Sequence, residues 1–466
     1  MDWTSQSSGV SKTAITMDTK GFFVIISLPY SKFFRNNRPH NNLFLTRDSS
    51  TTTTLYIFAK IIAKKYYKYQ LQPLLFVMSA KILFLVETDS MTGSGKCALE
   101  LIQQYHTSKI CNLIVLSQYA NDINAYCNKN SIENYAIHFP LTHCKGGKKI
   151  GRLIAITARP FLNVLSYLKL KRKIDFSSIS IIHSNTSAID FGAYLHKKTG
   201  IPHIWHFREF SAFNGVFNMI VKDYANYVNR FSTKIITVSK CLATFLINQG
   251  ITPDKVIPIY DGIPQILFAH QIFSEDRIMR IVCIGHIYKE KGQDSIVQAI
   301  SILPNEIKKN IVCDIYGPWD SEFKKELNSL ITNLNVQDNI HFKGPIQNVP
   351  EVLRNYHIGI QPSHAEGFSR VTVEYMQSQL CVIAAKEGAI PELVQDGING
   401  LLYTDYDYQE LANLIEKCFY NRNLIKKLGI RARIDALKKF CIENNFTKII
   451  DVYEEICSSK NTVSTK

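Results

Sequence analysis

The 466-residue sequence has no run of eighteen apolar residues, so no transmembrane helix is expected. The apolar stretch Gly21–Tyr30 is too short to span a bilayer, and the polar residues before it make a poor signal peptide. Eleven cysteines are scattered singly and none falls in a C-x-x-C pair. That spacing argues against a zinc site and a disulfide framework, and for a reducing compartment. No acidic residues cluster as a metal site would require, so no metal is expected. The first 77 residues hold no glutamate: seven Lys and three Arg stand against three Asp, a charge of +7 out of the chain's +15.

What is present is a globular balance, 46% hydrophobic and 20% charged, able to bury sizeable cores; at this length two domains are the first expectation. The excess of positive charge favours anionic partners: nucleotide phosphates, acidic lipids or nucleic acid. Residues 1–77 read as an extension, disordered or foreign to the natural product. Within them "DSSTTTT" is of low complexity, and "IFAKIIAKKYYKYQLQ" has the pattern of a basic amphipathic helix on a membrane surface. Met78 directly precedes "SAKILFLVETDS", which begins like a domain's first strand, and is read as the true start.

The stretch "SMTGSGKC" resembles a phosphate-binding P-loop, G-x-x-x-x-G-K-[ST], and fails it. With Gly95-Lys96 on the G-K pair, the first glycine position falls on Ser90 and the magnesium hydroxyl on Cys97. A thiol is a poor ligand for magnesium. What remains is a strand, a glycine-bearing turn around Gly93 and a helix opening, suited to close approach of a ligand. A phosphotransferase is therefore disfavoured.

From Ser79 onward apolar strands alternate with helical stretches. "KILFLVE", "NLIVLSQ", "ISIIHSN", "PHIWHFREF", "KIITVSK" and "KVIPIYDG" mark a first half. "MRIVCIG", "VCDIYG", "NIHFKG", "IGIQPS" and "LCVIAA" mark a second. Near-continuous apolar runs are the signature of parallel strands covered on both faces. The class is α/β: two doubly wound, Rossmann-like domains facing a central cleft, with ligands beyond the carboxyl ends of the strands. The expected divisions are 79–262, a hinge at 263–278, a second domain at 279–440, and a C-terminal helix and tail at 441–466.

Two stretches carry chemistry. In "PSHAEGFSRVTVEY", Glu366 lies in a loop after a strand, and Glu374, eight residues on, lies on a helix that begins near Ser369. A helix N-terminus offers free N–H groups and partial positive charge to a diphosphate, and the two carboxylates can take sugar hydroxyls on either side. In "CIGHIYKEKGQ", Lys291 is placed to neutralise a phosphate.

Together these residues resemble the retaining GT-B glycosyltransferases of the group 1 family (glycosyltransferase family 4). "EGFSRVTVE" matches the family's paired glutamates, "GHIYKEKGQ" its lysine loop, and "VSK" and "YDGI" the end of its first domain. "GPIQNVPEVLRNYHIGIQPS" and "GAIPELVQDGINGLLY" match the runs on either side of the glutamates. The resemblance covers about residues 79–440, and "IPHIWHFREF" is similar to members that build bacterial surface polysaccharides. It implies a metal-independent hexosyltransferase that uses a nucleotide diphosphate sugar as co-substrate, with no cofactor. By resemblance Glu366 contacts the donor sugar, Glu374 the ribose, and Lys291 the phosphates. Backbone N–H groups of Phe368, Ser369 and Arg370, next to Gly367, cradle the diphosphate. Ile346 holds the base, and Gly93 belongs to the first-domain loop that approaches the donor. His206, at the mouth of the first domain, is the expected histidine facing the reacting sugar, with Arg208 or Glu209 as alternatives. His286 replaces the family's phosphate-binding arginine and Ser369 a usual glycine, the first weakening the phosphate grip near neutral pH. Lys96 reads as a solvated lysine, with aid to an anionic acceptor as the alternative.

The expected partners are the donor, a saccharide or lipid-linked acceptor, and an anionic membrane surface touched by "KGGKKIGR" and "KLKRK". The protein is placed in the cytoplasm, peripheral on the inner face of the cell membrane. Rival readings are a nucleotide-sugar epimerase on the same fold and a basic nucleic-acid-binding protein. The latter needs basic and aromatic residues interleaved on one face, and only "KKYYKY" in the extension offers them, so no nucleic acid is expected.

Overall fold

The computed structural model describes residues 12–17, 23–28, 80–87, 93–144, 149–213, 218–219, 221–267 and 277–463. Met1–Gln70 form one compact unit and Leu71–Lys466 another. In the first, β1 (Lys12–Met17) and β2 (Phe23–Leu28) pair antiparallel, with Lys12 opposite Leu28. The helical pattern read over "IFAKIIAKKYYKYQLQ", and Met78, lie outside the described residues.

The second unit contains two parallel sheets. The first is seven-stranded. Its strands are β3 (Lys81–Val86), β4 (Asn112–Ser117), β5 (Glu133–Ala136), β7 (Ile181–Ser184), β8 (His203–Phe207), β10 (Lys234–Thr237) and β11 (Val256–Pro258), in the order β11-β10-β8-β7-β3-β4-β5. A short antiparallel pair, β6 (His143–Cys144) and β9 (Asn218–Met219), stands apart from it. The second sheet holds β12 (Met279–Ile284), β13 (Ile311–Tyr316), β14 (Ile340–Gly344), β15 (Ile358–Gln361), β16 (Cys381–Ala385) and β17 (Leu401–Tyr403), in the order β14-β13-β12-β15-β16-β17. The central strands are largely apolar because helices cover both faces: β16, CVIAA, is buried at every position, whereas the edge strand β5, ENYA, is partly exposed. The expected doubly wound domains are thus present.

Each sheet reverses its strand order once, between β3 and β7 in the first and between β12 and β15 in the second. At such a switch point the loops after the two neighbouring strands run in opposite directions and leave a crevice, where open α/β sheets take their ligands. The helices that bound these crevices are α1 (Gly93–Ser108) after β3, α3 (Gln293–Ser301) after β12, and α4 (Arg370–Gln377) after β15. A 23-residue helix, α2 (Lys149–Lys171), follows β6.

The last helix, α5 (Ile442–Val463), follows the second domain in sequence but packs on the first. Its Phe446, Ile449, Tyr453 and Ile456 share a core with Ile82, Phe84 and Tyr105. Another core, with Trp205 and Phe207 on one side and Phe368, Tyr375 and Phe440 on the other, is continuous across the two domains. Residues 268–276 of the expected hinge lie outside the described residues.

Candidate active site

The second-domain half of the site follows from strand order. Lys291 ends a single turn after β12, and Glu366 follows β15, its neighbour in the sheet. The two loops therefore meet: Lys291 Nζ lies 2.6 Å from Glu366 Oε1, and Gln361 Nε2 donates to the same oxygen at 3.0 Å. Burial works against the Lys291 ammonium, but the Glu366 carboxylate, with Tyr288 and Cys283 adding to it, offsets that and holds the pKa above the ordinary lysine value. Glu366 is further fixed through its carbonyl, which accepts from the Ala389 N–H at 2.9 Å. Gly388 makes that approach possible: its φ is 54°, and a Cβ there would lie 2.4 Å from the Glu366 carbonyl oxygen.

Ser369 is the N-cap of α4. Its φ of −93° is ordinary, and its Oγ accepts from the Thr372 N–H. A glycine at this position is therefore not needed for the backbone, and the serine stabilises the helix start. Gly367 does have a steric reason. A Cβ there would come within 2.5 Å of the carbonyl oxygen of Arg208, where β8 of the first domain ends. The loop before α4 and the first domain touch through main chain at this point.

The first-domain half holds what sequence reasoning missed. On α1, Lys96 and Glu100 stand one turn apart; on α4, Arg370 and Glu374 do the same. The two helices pair these groups crosswise. Lys96 Nζ lies 3.0 Å from Glu374 Oε1, and Arg370 Nη2 lies 2.8 Å from Glu100 Oε1. Arg370 Nη1 also donates to Cys97 Sγ at 3.1 Å, and Cys97 donates to Asp261 at 3.4 Å. Burial pushes the Cys97 thiol up to about 11 and raises the Glu100 carboxyl, with Arg370 and Lys96 pulling Glu100 back. The matching signal in the sequence is the repeated base-x-x-x-acid spacing, K-C-A-L-E and R-V-T-V-E. Lys96 is thus paired across the domains with Glu374, and the expectation of a merely solvated lysine is corrected.

His206 is also corrected. It lies inside β8, not at a mouth, and is 1% exposed. Its Nδ1 is 3.3 Å from His183 Nε2, and His183 Nδ1 is 2.6 Å from the Tyr453 hydroxyl on α5. Its Nε2 has no partner among the described residues, and the ring lines a small cavity of about 10 Å³ with Cys97, Asp261 and Asn445. Burial, then Arg208, holds its pKa well below the histidine range, so the ring is neutral. Of the alternatives, Arg208 is ion-paired with Asp261 and donates to the Asn185 Oδ1 at 2.9 Å, while Glu209 accepts from the Ser187 hydroxyl.

The remaining expected residues are placed as follows. Ile346 is half-buried against the core shared by both domains. Gly93 opens α1, and a Cβ there would meet nothing within 4 Å. The exposed ring of His286 stands edge-on to Tyr288, in an open hollow of about 770 Å³ that holds one further cation, Lys289, against Glu290, Asp320, Glu322 and Glu326. This acidic surround does not favour phosphate at the imidazole. Among the described residues no three His, Cys, Asp or Glu are grouped to hold a metal. No helix among them is long and apolar enough to cross a membrane.

Residues 264–435 match the family model for glycosyl transferases group 1, and residues 138–265 match that for Glycosyltransferase Family 4. The chain belongs to the group 1 glycosyltransferases. This glycosyltransferase is 27% identical over 338 residues to an uncharacterized glycosyltransferase of Methanocaldococcus jannaschii, covering 70% of this chain and 87% of that one. It is 29% identical over 176 residues to the N-acetyl-alpha-D-glucosaminyl L-malate synthase of Bacillus anthracis, covering 38% and 44%. Its fold matches that of Anabaena HepE in complex with UDP and glucose, with a TM-score of 0.67, 21% identity, and coverage of 81% of this chain and all of that one. It also matches WaaG, a glycosyltransferase involved in lipopolysaccharide biosynthesis, with a TM-score of 0.58, 16% identity, and coverage of 80% and 99%. The architecture is GT-B.

Proposed function

We propose that this glycosyltransferase moves a hexose from a nucleotide diphosphate sugar to a saccharide or lipid-linked acceptor, with retained anomeric configuration, in surface polysaccharide synthesis at the cytoplasmic face of the cell membrane. The observation that carries the reading is the Lys291–Glu366 contact beside the N-terminus of α4, with Glu374 on the same helix. Departure of the nucleotide builds negative charge on the diphosphate. Lys291 and the first-turn N–H groups of α4 meet that charge, and they are fixed before the reaction starts. Glu366, held by Gln361 and by the Ala389 N–H, positions the sugar. Glu374 takes the ribose hydroxyls. Because a fixed cation and a helix dipole suffice for the leaving group, the reaction is metal-independent. The UDP complexes of the Anabaena protein make UDP the first donor base to test.

The test is a thermal-shift and transfer screen of the full chain with UDP-, GDP- and ADP-sugars. One nucleotide class raises the melting temperature by mass action, and Glu374→Ala abolishes that rise. Free nucleotide appears only when acceptor is added, and a chelator leaves the rate unchanged. Nucleotide-sugar conversion without an acceptor would instead make the protein an epimerase. A smaller effect follows from α1. Lys96 competes with the ribose for Glu374, and it is 44% exposed, so the pair is weak. Lys96→Met tightens donor binding by about two- to fivefold, read by calorimetric titration. Looser binding would mean that Lys96 contacts the donor directly.

A further inference from the structure

The middle turns of helix α2 carry their apolar residues outward. A helix on a globular surface normally puts its apolar stripe inward and its polar face outward. Near its end Leu170 is buried in the first-domain core, with Tyr167 packed beside it, but over the middle turns the inward residues are polar: Asn163 and Ser166 are buried, Ser166 Oγ donates to the His138 carbonyl at 2.6 Å, and Arg159 is ion-paired with the buried Asp190. The outward residues are apolar. Phe161 is 65% exposed, and Leu162, Val164, Leu165 and Leu168 are each 37–45% exposed. Phe161, Val164, Leu165 and Leu168 follow the i, i+3, i+4, i+7 spacing of one continuous stripe. An aromatic and four aliphatic side chains aligned on one face are not the scattered exposure expected of a surface.

The charge around the stripe selects its occupant. Between Leu141 and Ile174 the chain has eight Lys or Arg besides the inward Arg159, and no Asp or Glu. Lys169, Lys171, Arg172 and Lys173 are exposed at the end of the stripe. A second copy of the same face would bring like charges together, since an isologous contact matches the patch with itself. Nucleic acid would leave the apolar arc without a partner. We propose that α2 is a membrane-docking surface. It lies in the plane of an anionic bilayer, with Phe161, Leu165 and Leu168 in the acyl boundary and the flanking lysines and arginines on lipid phosphates. The inference stands on α2 alone and does not depend on the donor chemistry.

The experiment is flotation of the full chain with vesicles of phosphatidylglycerol and phosphatidylcholine, beside a triple variant, Phe161→Ser, Leu165→Ser and Leu168→Ser. The wild type floats with the anionic vesicles. It partitions at least tenfold less onto phosphatidylcholine alone, because each Lys or Arg near an anionic surface contributes roughly a factor of five. The triple variant loses tenfold or more of its partition while keeping its melting temperature, since all three positions are exposed. It also keeps transfer to a soluble saccharide acceptor, which separates failure of docking from failure of the proposed reaction. A wild type that does not float, or a triple variant that floats equally well, overturns the inference. So does a wild-type dimer that the triple substitution makes monomeric in sedimentation.

Discussion

Lys291→Ala lowers kcat/KM for the donor by about 10²–10³-fold, the cost of removing one fixed charge from a developing leaving group. The ammonium sits at 2.6 Å from Glu366 in a largely buried position, so no solvent cation takes its place. Some of the loss comes from Glu366 itself, which among the described residues keeps only Gln361 as a side-chain partner and is held less firmly. Glu366→Gln separates the two effects. It retains the shape and removes the carboxylate, and its loss is of similar size. The double variant is far from additive, because the two side chains act through one contact. Transfer rates and urea midpoints, measured together, tell a catalytic loss from an unfolded one. A folded Lys291→Ala protein within threefold of wild type would remove Lys291 from the site and leave the α4 N-terminus alone to meet the diphosphate.

The second large effect is on stability. Three histidines, His183, His203 and His206, are fully enclosed in the first domain. Burial depresses all three. His203 falls to about 3, against a smaller opposing effect of its bond to the Phe231 carbonyl. His183 and His206 fall well below the ordinary range, with Arg208 adding to burial in each case. The sign follows from which state binds the protons. Above about pH 6.5 the rings are neutral in both states and cost nothing. Below it the unfolded chain takes protons that the folded chain refuses, so stability falls with pH. At pH 5.5 the three together remove about 4 kcal/mol relative to pH 8. Glu100 and Glu209, whose carboxyls burial raises, act in the opposite sense and reduce the net loss. Urea unfolding from pH 8 to pH 5.5 measures the total. His203→Gln isolates one ring: below pH 6.5 its stability falls less steeply than wild type by about 1.4 kcal/mol per pH unit. Equal slopes would mean that His203 takes up a proton without unfolding the domain.

The same cluster shows where sequence reasoning stops. "PHIWHFREF" is legible as a strand, because its apolar run reflects burial on both faces. Whether His206 looks toward a ligand or into the core depends on α5, which returns from the far end of the chain and places Tyr453 beside His183. No local pattern records that return. The α2 stripe behaves likewise. Its spacing is visible in the sequence, but a stripe reads as a core face until the structure shows which side is covered.

The sequence by itself determined the two doubly wound domains, the helix start at Ser369, the placement of Lys291 and Glu366 in loops after strands, and that of Glu374 on the helix. Each of these rests on periodicity, capping or turn chemistry between near neighbours in the chain. Tertiary structure alone decided that Lys291 meets Glu366, because β12 and β15 lie side by side only in the folded sheet. It alone brought Lys96 to Glu374 across 278 residues, and Arg370 to Glu100 across 270. These contacts follow from how one domain docks on the other. Docking is set by the summed shape of the apolar core they share, and no single residue or spacing carries it.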